Sequence, residues 1–479
     1  MIQYSSLDIG FLVSIAAYSF TALVAPLLGA KATRLSLILS TILSIIVVSS
    51  AILETPRSGY IELLGGLMST DTFSLSLLLA LLIVVGLASF AATGYADYWD
   101  AGEAFYAVVG LIALGVIVLA LANSIYTVYV AWILAAISSY ILIALYRDRV
   151  SAEASMKYAV SGSVATILLL LSMALLYISR RTAEIGPILG VVDTPLALST
   201  VVLVVVAIGF KMGIVPFHGW LIDVYGNARP ILISIASASA KVIVALLVVR
   251  LIAPYASYTP QVVFYAIAVL AAITMTYGNI GALLTVKDSP QKLLAYSSIA
   301  QAGYIVAGFA LLARLPGADN KAAIAGIALH TIAYAFSKLA GFLALESLGY
   351  MEGEGWARVK GMYKHKPIAT LAFFIAIASL AGMPPLLGFW GKLYLLIAVV
   401  SASNILALIM AINMAIGAFY YGYSIYMAFQ EPEKLPVETK PTIELAALAS
   451  AILLILVVFI VPPWSAYNLV VYTYTTLTT

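Results

Sequence analysis

Apolar runs of about twenty residues, each long enough to cross the hydrocarbon core of a bilayer, follow one another along almost the whole chain. They lie near residues 8–29, 35–53, 74–93, 104–122, 125–146, 156–178, 195–224, 229–253, 262–284, 291–313, 321–346, 367–400, 404–429 and 442–462. Backbone in hydrocarbon must satisfy its own hydrogen bonds, so runs of this length leave the α-helix as their conformation. With 63% hydrophobic and 9% charged residues and a mean hydropathy of +1.09, a chain of 479 residues has too little polar surface for a water-soluble fold. The expectation is an all-α membrane protein with about 14 transmembrane helices in a single polytopic domain over 1–479. Within it, 1–93 holds peripheral N-terminal spans, 104–253 a first repeat, 262–429 a second, and 442–462 the last span. The run from Ile9 to Leu28 lacks a basic lead segment and is long enough to span, so it is read as a retained helix and not a cleaved signal.

Two of the runs are broken. In the seventh, Gly213-x-x-Pro216-x-x-Gly219-Trp220 interrupts the apolar pattern; in the twelfth, Gly382-x-x-Pro385-x-x-Gly388-Phe389 repeats it without gaps, with Pro384 beside Pro385. Such a break frees backbone groups that hydrocarbon cannot satisfy, so it is expected packed in protein or lining a wet cavity. Paired breaks in two halves of a chain are the pattern of inverted-repeat transporters. Spans four to eight and nine to thirteen are therefore expected to form two inverted five-helix repeats, broken at spans seven and twelve.

The loops after odd-numbered spans hold Lys31, Arg34, Arg147, Arg149, Lys157, Arg229, Lys287, Lys292, Arg358, Lys360, Lys364, Lys366, Lys434 and Lys440. The opposite side holds Arg57, Arg180, Arg181, Arg250, Arg314 and Lys321. Positive residues favour the cytoplasm, which predicts a multi-pass protein of the cell inner or plasma membrane with both termini outside. The net charge is only +3 and no basic patch forms, so no nucleic-acid partner is expected. The chain has no cysteine, and its histidines at 218, 330 and 365 stand too far apart for a ligand cluster. No cofactor and no metal site is expected, and any redox chemistry belongs to a partner.

Four lysines, Lys211, Lys241, Lys338 and Lys392, lie well inside spans. A lysine at mid-membrane normally faces the bundle interior and marks an ion path, and burial disfavours its charged form, so it can load and release a proton. A single one could instead snorkel or glue helices. No span carries an Asp or Glu at its centre; Asp223 and Glu346 sit at span ends. A carboxylate-built cation site is poorly matched by this inventory, and protons fit it better. His218 either relays a proton or satisfies carbonyls freed at the break. His330 and Tyr334 fall on the helical face of Lys338 and extend a polar row toward it, or make interhelical hydrogen bonds. Tyr420, Tyr421, Tyr423 and Tyr426 read as interfacial belt and packing residues.

The string Lys-x-x-x-x-Pro-x-His-x-Trp-Leu-x-Asp at Lys211 to Asp223 resembles the seventh-helix motif of the antiporter-like proton-channel subunits. That family is shared by respiratory complex I, energy-converting membrane hydrogenases and Mrp-type sodium/proton antiporters. The likeness continues through Arg229-Pro230, through Lys241 to Arg250, through Lys292 to Tyr304 and through Gly382 to Lys392. The resemblance implies a charged axis for protons at Lys211, Lys241, Lys338 and Lys392. It implies a non-redox, ion-translocating subunit working beside related antiporter-like subunits in a complex I-like quinone oxidoreductase or a membrane hydrogenase. It also implies a fifth-helix glutamate paired with the seventh-helix lysine, where this chain has Ile133, and a histidine where it has Tyr334. A short chain without a long lateral helix matches the smaller members. Two alternatives follow: an Mrp-type subunit moving sodium against protons, or a scaffold that has lost transport with its fifth-span acid.

Overall fold

The computed structural model describes residues 5–55, 60–93, 96–185, 194–252, 261–312, 320–350, 353–435, 437 and 439–464. Arg57 and Arg314, counted above in the charge asymmetry, lie outside the described residues. Helices account for nearly all of the described chain. Each of the fourteen apolar runs is helical: twelve are continuous and long enough to span, and the seventh and twelfth are each split in two.

The helices that precede the first repeat are α1 (Ser6–Leu23), α2 (Ala30–Glu54) and α3 (Thr72–Ala91). Between α2 and α3 the chain forms a small antiparallel hairpin, β1 (Tyr60–Leu63) with β2 (Met68–Asp71), turned through Gly65 and Gly66. The span pattern gave no sign of it, because four-residue strands leave no hydrophobic length. The segment expected as the first repeat contains α4 (Gly102–Ala120), α5 (Ile125–Ala144), α6 (Arg149–Arg180), the pair α7 (Thr194–Met212) and α8 (Gly219–Asn227), and α9 (Pro230–Leu251). Helix α6 starts about two turns before its apolar run, because Asp148 caps it by accepting from the Ser151 N–H at 2.6 Å. The second contains α10 (Gln261–Leu284), α11 (Pro290–Leu312), α12 (Asn320–Ser347), the short α13 (Met362–His365), the pair α14 (Pro367–Ala381) and α15 (Leu387–Ala402), and α16 (Asn404–Ala428). Helix α17 (Pro441–Ile460) follows.

Among the described residues, loops bond to loops of their own parity, which fixes how the helices alternate. On one face Arg34 pairs with Asp97, Arg229 bonds Tyr146 and pairs with Glu346, Lys360 pairs with Glu433, and Thr442 donates to the Ala91 carbonyl. These residues follow odd-numbered spans. On the other face Arg250 bonds the carbonyls of Ala120, Ala122 and Ser69, Ile125 donates to the Ala183 carbonyl, and Leu64 donates to Asp8. Spans seven and twelve, five crossings apart, therefore run in opposite directions. At the odd face, Glu431 hydrogen-bonds Lys364 at 2.6 Å and holds its ammonium above the usual lysine range.

Both breaks stand where the sequence put them. Gly213 ends α7 at φ +68° and Gly382 ends α14 at φ +89°, the left-handed region that favours glycine. Of the expectation that the breaks are packed in protein or line a wet cavity, packing within this chain accounts for part of each. Met212, Gly213 and Ile214 are buried, but Pro216 and Gly219 are exposed, as are Met383, Pro384 and Pro385.

Candidate functional site

The four intramembrane lysines are all buried, none more than 4% exposed, and the fold strings them from one repeat into the other. Lys211, at the end of α7, donates to the hydroxyls of Ser139 on α5 and Tyr158 on α6, both at 3.1 Å. The rings of Tyr158, Tyr140 and Trp132 lie 4.9, 5.0 and 5.9 Å from its Nζ. Trp220, on α8, stacks on Tyr158 at 4.4 Å and donates its indole N–H to the Phe210 carbonyl.

Lys241 on α9 donates to the Met212 carbonyl at 2.9 Å, one of the backbone acceptors that the break leaves free. Lys392 on α15 does the same at the second break, donating to the carbonyls of Leu380 at 2.6 Å and Ala381 at 3.2 Å. A centred lysine costs roughly 2.5–3.5 kcal/mol on insertion scales, and a hydrogen bond to a charged group contributes about 1.5–3 kcal/mol. The freed carbonyls thus offset much of the burial penalty, and each lysine satisfies backbone that lipid cannot. His218 is half-buried, its ring 4.2 Å from that of Tyr277, and its backbone partner is Pro216 within the same break.

Tyr334 joins the middle pair. Its ring lies 5.4 Å from the Nζ of Lys241 and 5.5 Å from that of Lys338, and its hydroxyl meets Ser237 of α9 at 2.5 Å. His330, one turn earlier on α12, sits elsewhere: its ring is edge-on to Tyr304 at 6.0 Å, and the same Tyr304 ring underlies Lys392 at 5.0 Å. The polar row expected along α12 therefore divides, Tyr334 serving Lys241 and Lys338, and His330 standing near Lys392.

Lys338 donates to the Leu294 carbonyl at 2.7 Å and to Ser297 at 3.0 Å. Ser297 meets the Tyr421 hydroxyl at 2.7 Å. Gln301 donates to that hydroxyl and to the Leu380 carbonyl, both at 2.9 Å, and the same carbonyl accepts from Lys392. A hydrogen-bonded chain from Lys338 to Lys392 thus runs through Ser297, Tyr421 and Gln301. Of the tyrosines read as belt and packing residues, Tyr420 and Tyr421 are packing residues, and Tyr421 is also a link in this chain. Both are buried, Tyr420 donating to Asn279 at 2.9 Å, whereas Tyr426 is exposed as a belt residue should be. Their place four helices away from Lys338 in sequence gave no signal of contact.

Among the described residues no carboxylate stands within ion-pair distance of any of the four lysines. Ile133 is half-buried, next in sequence to the Trp132 that lies beside Lys211. Nor do the described residues bring three His, Cys, Asp or Glu together as a metal would need.

The family described as NADH:quinone oxidoreductase/Mrp antiporter, TM matches residues 122–417, which hold all four lysines and both breaks. The F(420)H(2) dehydrogenase subunit N of Methanosarcina mazei is 32% identical over 386 residues, 76% of each chain. The NADH-quinone oxidoreductase subunit N of Desulfitobacterium hafniense is 32% identical over 403 residues, 79% of this chain and 80% of its own. Among solved structures, a chain of respiratory complex I from Thermus thermophilus superposes with a TM-score of 0.76 at 25% identity, covering 93% of this chain and 96% of that one. A chain of the Mrp complex from Dietzia sp. shares the fold, with a TM-score of 0.84 at 19% identity over 100% and 98% of the two chains. The chain is an antiporter-like membrane subunit and belongs to the NADH:quinone oxidoreductase/Mrp antiporter family.

Proposed function

We propose that this chain moves protons as a non-redox subunit of a multi-subunit membrane complex of the complex I-like or membrane-hydrogenase kind. The observation that carries this is the buried run from Lys211 to Lys392: Lys241 bonds the carbonyl of Met212, the residue after Lys211, the Tyr334 ring lies beside both Lys241 and Lys338, and Ser297, Tyr421 and Gln301 lead from Lys338 to the Leu380 carbonyl that Lys392 bonds. Electron transfer in partner subunits would change the energies along the run, and each lysine would pass its proton to a neighbour. The odd-numbered loops face the cytoplasm and both termini lie outside, in keeping with the positive side chains; related antiporter-like subunits and lipid surround the bundle. The test is Lys392→Met and, separately, Lys211→Met in the whole complex in proteoliposomes, since methionine keeps the stem and drops the charge. Both variants are expected to assemble and to lose coupled proton movement. Unchanged pumping in Lys392→Met overturns the reading.

The scaffold alternative has one observation in its favour, the absence of a carboxylate beside Lys211, and predicts that neither variant changes pumping. The Mrp-type alternative is separated by adding sodium, which alters the rate only if sodium is moved.

A further inference from the structure

Among the described residues, the only buried carboxylic acids are Asp8, Asp71 and Glu346, and Glu346 is the only one within the two repeats. It lies on α12, two turns beyond Lys338, and is 2% exposed. One oxygen accepts from the Ile231 N–H at 3.1 Å, at the first turn of α9, the helix that carries Lys241. The other stands 3.5 Å from Nη1 of Arg229. The Arg229 guanidinium is also bonded to the Tyr146 hydroxyl and lies 4.1 Å over that ring.

Arg229 has a second aspect. It walls a cavity of about 160 Å³ with Tyr146, Asp148, Asn227, Gln291 and Tyr350 on the odd-loop face, large enough for several waters. The arginine thus stands between that cavity and the carboxylate. Inward from Ile231, α9 places Ser234, Ser237 and Lys241 at helical spacing along one side. Ser237 touches Tyr334, whose ring is beside both Lys241 and Lys338. Hydroxyls both donate and accept, so groups able to exchange protons line the side of α9 between the acid and the middle lysine pair.

We infer that Glu346 is the proton-loading group for Lys241 and Lys338, and that Arg229 gates it from the cavity. A proton from cavity water adds to the Glu346 carboxylate, making it neutral and loosening its attraction to Arg229. The proton then passes by way of the hydroxyls to the free amine of Lys241 or Lys338, which becomes an ammonium, and Glu346 returns to the carboxylate paired with Arg229. The groups facing Glu346 and its gate are Arg229, Tyr146, Asp148 and Tyr350, with Lys338 on its own helix and Lys241 on the opposing one. The inference rests on the proton-axis reading and goes beyond it, because the axis itself runs between lysines and leaves this acid unused.

The test uses the whole complex in proteoliposomes with a lumenal pH dye, together with infrared difference spectra across a pH jump. Glu346→Gln keeps the side chain's size and can still accept from Ile231. It is expected to assemble and to slow proton movement by about tenfold or more, the scale of a lost acid–base group, and to remove a protonated-carboxyl band from the spectrum. Glu346→Asp, one methylene shorter, is expected to shift that band and recover part of the rate; it also serves if the glutamine variant does not assemble. Proton movement at the unsubstituted rate with an unchanged spectrum, or the lack of any such band in the unsubstituted complex, reduces the pair to a clamp between repeats and overturns the inference. If Lys392→Met abolishes pumping while Glu346→Gln does not, only this inference falls. If neither matters, the proton-axis reading falls with it.

Discussion

At the residue scale, the lysines are spaced too widely to touch, and hydroxyls, aromatic faces and freed carbonyls fill the intervals. Tyr421 is the sharpest case, because its hydroxyl joins Ser297 to Gln301. Tyr421→Phe keeps the ring and breaks the link from Lys338 to Lys392. Its expected effect on stability is about 1 kcal/mol, that of one hydrogen bond, while proton movement falls by roughly a factor of ten or more; thermal unfolding and dye-reported translocation measured on the same complex separate the two. Ile133→Glu addresses the other end of the axis. If a carboxylate there pairs with Lys211, which has no such partner among the described residues, the rate of translocation and its pH dependence are expected to change. If both stay as they were, Ile133 does not mark a lost switch.

At the scale of elements, the two broken helices do matching work, each offering carbonyls to a lysine that lipid would otherwise strand. Their glycines hold left-handed backbone that a side chain resists. A Cβ on Gly213 would also stand 2.5 Å from Cδ1 of Leu221, so Gly213→Ala is expected to destabilise by about 1–2 kcal/mol or more, read as a lower unfolding temperature. At Gly382 a Cβ would stand 3.1 Å from Cδ of Lys392, which ties backbone strain there to the lysine's position. Gly382→Ala is expected to impair pumping more than Gly213→Ala for the same loss of stability. Because spans seven and twelve run oppositely, a rotation about an axis in the membrane plane is expected to carry Pro216 onto Pro385; an experimental structure of the complex checks this by superposing the two repeats.

For the whole molecule, the exposed elbow at Met383, Pro384 and Pro385 is informative. Irregular backbone at membrane depth is not left to lipid, so a neighbouring subunit is expected to cover it. The chain has no cysteine, which makes Met383→Cys a single clean attachment point. In native membranes a short crosslinker there is expected to capture an adjacent subunit, whereas the exposed Leu53, changed to cysteine, is a control site with regular helical backbone. Lipid labelling at Met383→Cys without a protein product overturns the expectation. By itself the sequence determined the fourteen helices, their alternation, the two breaks and the four lysines. Hydrophobic length, glycine–proline punctuation and the penalty for a buried charge are all properties of residues taken along the chain. Only the tertiary structure decided that Lys241 meets the first break, that His330 stands with Lys392, that Tyr421 joins Lys338 to Gln301 and that Glu346 caps the helix of Lys241. Serines, tyrosines and an acid at a span end are tolerated at many helical positions, and their partners depend on which helices become neighbours, a property that no stretch of sequence contains alone.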